Sequence, residues 1–346
     1  MTFANRKSNW IDTFRGFAMA LIFVGHIWNF PSKPKQDLYT YHVAIFFVLA
    51  GFLYNAGKYA KISFFKQLKS KARAYLIPYF VLCAANLVLS IVLFIVGNGV
   101  TDLGSKLLNW LGSILFVYSP GMPNCATLWF LPCFFVSYVL FALMYRIGND
   151  WLKVAYLIFL FALGSILMTF VPIQLPWYIQ VAPFGALFMV AGWLIGLLFK
   201  KLDVKLDVFT KKGWAYCLVA VGAFGLNFVM NKISYHLTAL NGVCVSLNEL
   251  EIGTPWIYVA GALFGSVGML IFFKYANVEF KLMSLWGRHT LLGMGFNLLF
   301  MEIASKITEE PWYATFAIIL VEYTVVCVLA ELAAAKLKGK PAEKEA

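Results

Sequence analysis

Ten apolar runs of about 20 residues, each long enough to cross a bilayer as a helix, decide what this chain can fold into. They lie near residues 10–30, 39–57, 75–97, 125–145, 152–171, 181–200, 214–231, 256–274, 285–304 and 312–335. In lipid the backbone must satisfy its own hydrogen bonds, so such runs form helices. With 62% hydrophobic and 13% charged residues, a soluble core protein is excluded. The expected fold class is all-α, a polytopic membrane protein of about ten transmembrane helices. It is expected as a single membrane domain over 1–346, with a disordered tail from about 337 to 346.

The net charge of +12 could suggest nucleic acid, but the placement of the basic residues argues against it. Only Lys33, Lys35, Lys106, Lys232 and Lys306 fall on the side opposite the N-terminus. Arg15 lies inside the first run, and every other Lys or Arg is on the N-terminal side. By the positive-inside rule both termini are expected in the cytoplasm. The basic start is not followed by a small-residue cleavage site, so the first run is read as a retained span. The expected location is the cell membrane, multi-pass.

The first run, WIDTFRGFAMALIFVGHIWNF, carries two residues that are costly in lipid. Arg15 and His26 are eleven positions apart. Eleven steps of about 100° come to three turns plus roughly 20°, so both share one face, about 16 Å apart along the axis. Such a stripe faces protein or a wet cavity. Asp12, three residues before Arg15, is on that face too and suits either orienting Arg15 or pairing with it structurally. His42 opens the second run, near the side His26 approaches, and the short connection makes the two spans expected neighbours.

Residues 58–74 mix lysines with Ile62, Phe64, Phe65 and Leu68 and read as an interfacial amphipathic helix. Their charges either rest on anionic headgroups or receive a polyanionic ligand. Residues 31–38 read as a short outer loop, and Pro78 as the entry of the third span. The patch LLNWLGSILFVY, within 98–124, is too short to span and reads as re-entrant or interfacial. The outer segment 231–255, with His236, Glu249 and Glu251, reads as a solvated loop. Glu302 and Glu322 lie within spans, where paired or cavity-facing roles are expected. Six scattered cysteines form no metal-type pair. Cys125 and Cys244, both near the outer surface, are a candidate disulfide, and the other thiols read as buried and inert.

Taken together, WIDTFRGFAMALIFVGH, YHVAIFFVLAGFLY, KARAYLIPYF and TLWFLPCFF resemble the membrane-bound acyltransferase family 3 proteins, in particular the fucose 4-O-acetylase-like branch. The resemblance rests on Asp12, Arg15, Gly16 and His26; on His42, Phe46, Phe47, Ala50 and Gly51; on Arg73, Pro78 and Tyr79; and on Trp129, Phe130 and Leu131. Members often have Ser where this chain has Ala50, and a histidine where it has Asn297. The resemblance implies a membrane O-acyltransferase, most simply an acetyl-CoA-dependent O-acetyltransferase. Its acceptor would be a hydroxyl of a cell-surface or lipid-linked glycan.

The chemistry agrees with that implication. Acyl transfer from a thioester needs a base for the hydroxyl proton and something to hold the oxyanion. His26, His42, Arg15 and Asp12 are the expected catalytic residues. Arg15, Lys66, Lys69 and Arg73 are expected to meet the phosphates of acyl-CoA, and Trp129, Asn297 and Glu302 to meet the acceptor. Acyl-CoA is a co-substrate; no tightly bound cofactor and no metal is expected, and the partners are acyl-CoA, the saccharide acceptor and the bilayer. Two other readings stay open: a catalytically inactive member of the family, or a transporter or flippase of glycan precursors. The internal repeats typical of transporters are not evident.

Overall fold

The computed structural model describes residues 10–205, 213–237, 245–275, 279–308 and 310–338. These residues are almost wholly helical, with an isolated bridge between Ser246 and Glu251. The helices are α1 (Trp10–His26), α2 (Ser32–Tyr41), α3 (Ala44–Phe52), α4 (Ala56–Ala60), α5 (Phe64–Asn98), α6 (Leu103–Phe116) and α7 (Phe130–Arg146). They continue as α8 (Asp150–Phe170), α9 (Ala182–Lys205), α10 (Gly213–Leu237), α11 (Pro255–Tyr275), α12 (Lys281–Arg288), α13 (Thr290–Ile307) and α14 (Trp312–Lys338). Among the described residues eight helices are long and apolar enough to cross a membrane. The protein is therefore an all-α, multi-pass membrane protein.

Several elements depart from the sequence expectation. Residues 31–38, expected as a loop, form most of α2, whose Pro34 falls in the first turn, where a missing N–H costs nothing. The run 39–57 is divided, with α2 ending at Tyr41 and α3 spanning only nine residues, about 14 Å. At the break the Leu38 carbonyl accepts from both the backbone N–H and the ring Nδ1 of His42. Residues 58–74 are not one interfacial helix. They comprise α4, a bend and the first three turns of α5, which runs 35 residues through Pro78. The run 285–304 is broken at His289 (φ −114°, ψ 26°) into α12 and α13. The patch at 103–116 is a helix, α6, of 14 residues.

Two compact units contain these helices. The first joins the chain ends, α1 with α12, α13 and α14. Its closest contact is made by glycines. A Cβ on Gly16 would overlap the Met283 carbonyl, and one on Gly287 would overlap the Asp12 carbonyl, so α1 and α12 meet backbone to backbone. Along α1, Phe23 makes edge contacts with Phe300 of α13 and Tyr323 of α14, centroids 6.2 and 5.1 Å apart. The Tyr323 hydroxyl donates to the Trp286 carbonyl at 2.7 Å, holding α14 on α12.

The second unit spans residues 31–276. Its centre is α3, buried at every position from Ala44 to Leu49. Gly51 of α3 and Gly192 of α9 repeat the close contact, against the carbonyls of Met189 and Val48. Phe47 stacks on Phe134 of α7 at 5.0 Å. Helix α2 is held by polar links: Thr40 donates to Asn231 Oδ1 at 2.7 Å, and Asn231 donates to Asp37 Oδ1 at 3.1 Å.

Helix α5 lies along α7, and the contacts fix their register. The Gln67 amide donates to the Tyr138 hydroxyl at 2.7 Å and accepts from Arg146 at 3.2 Å. Tyr75 meets Phe134 at 5.0 Å, and Cys83 meets Cys125 just ahead of α7. The sixteen steps from Gln67 to Cys83, about 24 Å, therefore cover the whole length of α7. The remaining turns of α5 pair with α6, where Phe94 meets Trp110 at 6.0 Å.

Candidate functional site

In the first unit, α1 is unbroken from Trp10 to His26, so the spacing that puts Arg15 and His26 on one face holds. Arg15 lies 3.7 Å from the Asp12 carboxylate, with 39% of its side chain exposed against 18% for Asp12. A single contact of that length, short of a bidentate pair, leaves donors of a partly exposed guanidinium for another anion.

The half-buried His26 ends the helix. Its Nδ1 is 2.8 Å from the Ile22 carbonyl, which can only accept, so Nδ1 carries the proton. In the neutral ring the lone pair is then on Nε2, the nitrogen suited to take a proton from a substrate hydroxyl.

Asn297 is fully buried on α13, and neither its Nδ2 nor its Oδ1 has a hydrogen-bond partner in the described protein. It shares a helix face with Gly293, one turn before, and Phe300, one turn after. Gly293 abuts Met19 and Tyr323, and Phe300 meets Phe23, so Asn297 is on the side of α13 facing α1 and α14. A buried amide with two donors and an acceptor unused is a group awaiting a polar ligand or water. Glu302, by contrast, is on the exposed side of α13 and accepts from Lys306 at 2.9 Å. Glu322 on α14 keeps one carboxylate oxygen buried without a partner.

The first unit also contains a group that the sequence did not single out. The Arg288 Nε donates to Glu331 Oε1 at 3.0 Å, and His289 Nε2 lies 3.2 Å from the same oxygen. This cluster fastens the α12–α13 break to α14.

In the second unit, His42 is buried, packs tilted against Tyr39 with ring centroids 4.5 Å apart, and has Nδ1 3.2 Å from the Leu38 carbonyl. One turn on, Phe46 meets Phe130 at 5.8 Å, next to Trp129. His42 and Trp129 are thereby at the same end of this unit. The Trp129 ring is buried and packs on Tyr178 at 4.4 Å. In the same unit Glu251, near Glu249, has its carboxyl raised above the usual range by burial and by that neighbour.

Of the basic residues on α5, Lys66, Lys69 and Arg73 are all exposed, on the side turned away from α7. The cation that the fold gathers in is Lys71, which the sequence reading passed over. Its Nζ lies over the rings of Tyr138, Tyr59 and Tyr75 at 4.9, 5.6 and 5.6 Å. Arg146 stands close by, on Gln67 and the Ile62 carbonyl. Among the described residues neither Lys71 nor Arg146 pairs with a carboxylate. The four-residue spacing of Gln67, Lys71, Tyr75 and Tyr79 was the available signal for this face.

No curated protein matches the chain, and no solved structure does. A family model described as an acyltransferase domain matches residues 8–330, nearly the whole chain, including His26, His42, Arg15, Asn297 and Lys71. The chain belongs to acyltransferase family 3.

Proposed function

We propose that the protein is a membrane O-acyltransferase of the O-acetylating kind. It moves an acyl group, acetyl in the simplest case, from cytoplasmic acyl-CoA to a hydroxyl of a cell-surface or lipid-linked glycan. The observation that carries this reading is α1, one unbroken helix bearing Arg15 and His26 on a single face, with the His26 lone pair on Nε2.

His26 Nε2 takes the acceptor's hydroxyl proton as its oxygen attacks the thioester carbonyl. The resulting tetrahedral oxyanion collapses, the C–S bond breaks, and the imidazolium returns the proton to the departing thiolate. Arg15, steadied by Asp12, binds a donor phosphate with its planar fork. Asn297 supplies amide N–H groups to the oxyanion or the acceptor. His42 and Trp129 serve the acceptor. Lys66, Lys69 and Arg73 form an exposed landing surface, and Lys71 with Arg146 adds two cations that lack a carboxylate partner.

His26→Ala tests the reading. It removes one hydrogen bond and leaves a small cavity, about 1–3 kcal/mol, so the protein remains recoverable in detergent. Loss of a general base costs at least about 100-fold in acyl transfer. Glycan acylation, read by mass spectrometry beside protein level, disappears. A well-expressed His26→Ala protein acylating at the wild-type rate would show that His26 is not the base.

A further inference from the structure

We propose that Cys83 and Cys125 form a disulfide that ties α5 to the segment leading into α7. Their Sγ atoms are 3.8 Å apart, in van der Waals contact, and both residues are essentially fully buried. The pairing expected from sequence, Cys125 with Cys244, cannot be compared directly, because Cys244 lies outside the described residues. Cys125 already has a thiol against it.

The surroundings hold the two sulfurs in register. Four residues before Cys83, the Tyr79 hydroxyl donates to the Ile114 carbonyl at 2.6 Å. One residue before Cys125, the Asn124 amide donates to Ser90 Oγ at 3.3 Å. These bonds bracket the thiols from both sides along α5 and hold the two segments in place beside each other. Asn124 and Val117 have φ of 50° and 60°, a conformation that non-glycine residues seldom hold without support. For Asn124, next in sequence to Cys125, a covalent link supplies that support.

Depth does not forbid the reaction. Arg146 marks one end of α7, and the α5–α7 register puts Cys83 at the other. With the orientation expected from the basic residues, Cys125, at the start of the 125–145 run, is at the outer end, on the side where disulfides persist, and Cys83 meets it from within α5. The bond forms while the chain assembles, before the thiols are enclosed. The two thiols lose two protons and two electrons to the disulfide of a thiol-oxidising protein on that side, which becomes a dithiol. Once enclosed, the bond is shielded from attacking thiolates.

The test uses the full chain, purified with alkylating reagent present from lysis and then alkylated again in denaturant without reductant. Four of the six cysteines take up the reagent, and peptide mass spectrometry finds residues 83 and 125 joined. Reductant applied to the folded protein leaves the bond intact, whereas reductant in denaturant opens it. Cys83→Ser and Cys125→Ser each release one newly alkylated thiol, and each lowers the melting temperature by several degrees. Cys133→Ser serves as the control and changes neither the linkage nor the alkylation of the pair. Alkylation of all six cysteines, or a peptide joining 125 to 244, overturns the proposal.

Discussion

The amide of Asn297 sets stability against activity in a way that one substitution can measure. Burying an amide without partners costs about 1–3 kcal/mol relative to an apolar group of the same shape. Leucine has the branched outline of asparagine with the same number of heavy atoms and more bulk, so Asn297→Leu leaves no cavity, and it extends an apolar layer already made by Met19, Phe23, Phe300 and Tyr323. The variant is therefore expected to gain about 1–3 kcal/mol, a shift of a few degrees in the melting temperature. If the amide is there for the oxyanion, its loss lowers turnover by about 10²–10³. The assay pairs thermal unfolding in detergent with acyl transfer at saturating donor. A variant that is less stable than the parent, yet turns over normally, would refute the argument. It would mean that the amide is satisfied within the fold and has no part in the reaction.

Arg15→Lys keeps the charge but loses the planar fork, so the KM for acyl-CoA is expected to rise several-fold. Lys71→Gln should weaken the donor more than the Lys66→Gln, Lys69→Gln double variant, whose exposed charges are screened by salt; equal effects would remove Lys71 from donor binding. Gly287→Ala forces a methyl into the Asp12 carbonyl and should cost about 1–3 kcal/mol or more, read as lost yield and melting temperature. A cysteine introduced at Gln36 should react with an impermeant thiol reagent from outside intact cells, and one at Ser63 should not; the reverse pattern inverts the orientation.

The sequence made the helical class legible because apolar runs of bilayer length have few alternatives. It made α1 legible because two polar residues in one run define a face by arithmetic alone. It did not reveal where runs break. No proline marks Val43 or His289, and the apolar runs read straight across both; those breaks come from side chains competing for carbonyls and from Glu331 gathering Arg288 and His289. Pro78 is a break signal that misleads, since α5 passes through it. Among the lysines of α5, composition could not choose. Packing against α7 turns Lys71 inward and leaves Lys66 and Lys69 outside. The proximity of Cys83 and Cys125 depends on the register of α5 with α7, which local pattern does not encode.

The backbone contact between Gly16 and Gly287 also has a bearing on time. Helix α1 leaves the ribosome about 270 residues ahead of the surface that covers it. At roughly 5–20 residues per second this leaves α1, with Arg15 exposed on it, waiting about 15–50 s for its partner. Because the contact is made by main chain, no other apolar helix can substitute by fitting its side chains in. The waiting helix thus depends on lipid, on the insertion machinery or on a chaperone until α12 arrives. A chain that stops before residue 277 never supplies what α1 was shaped to meet.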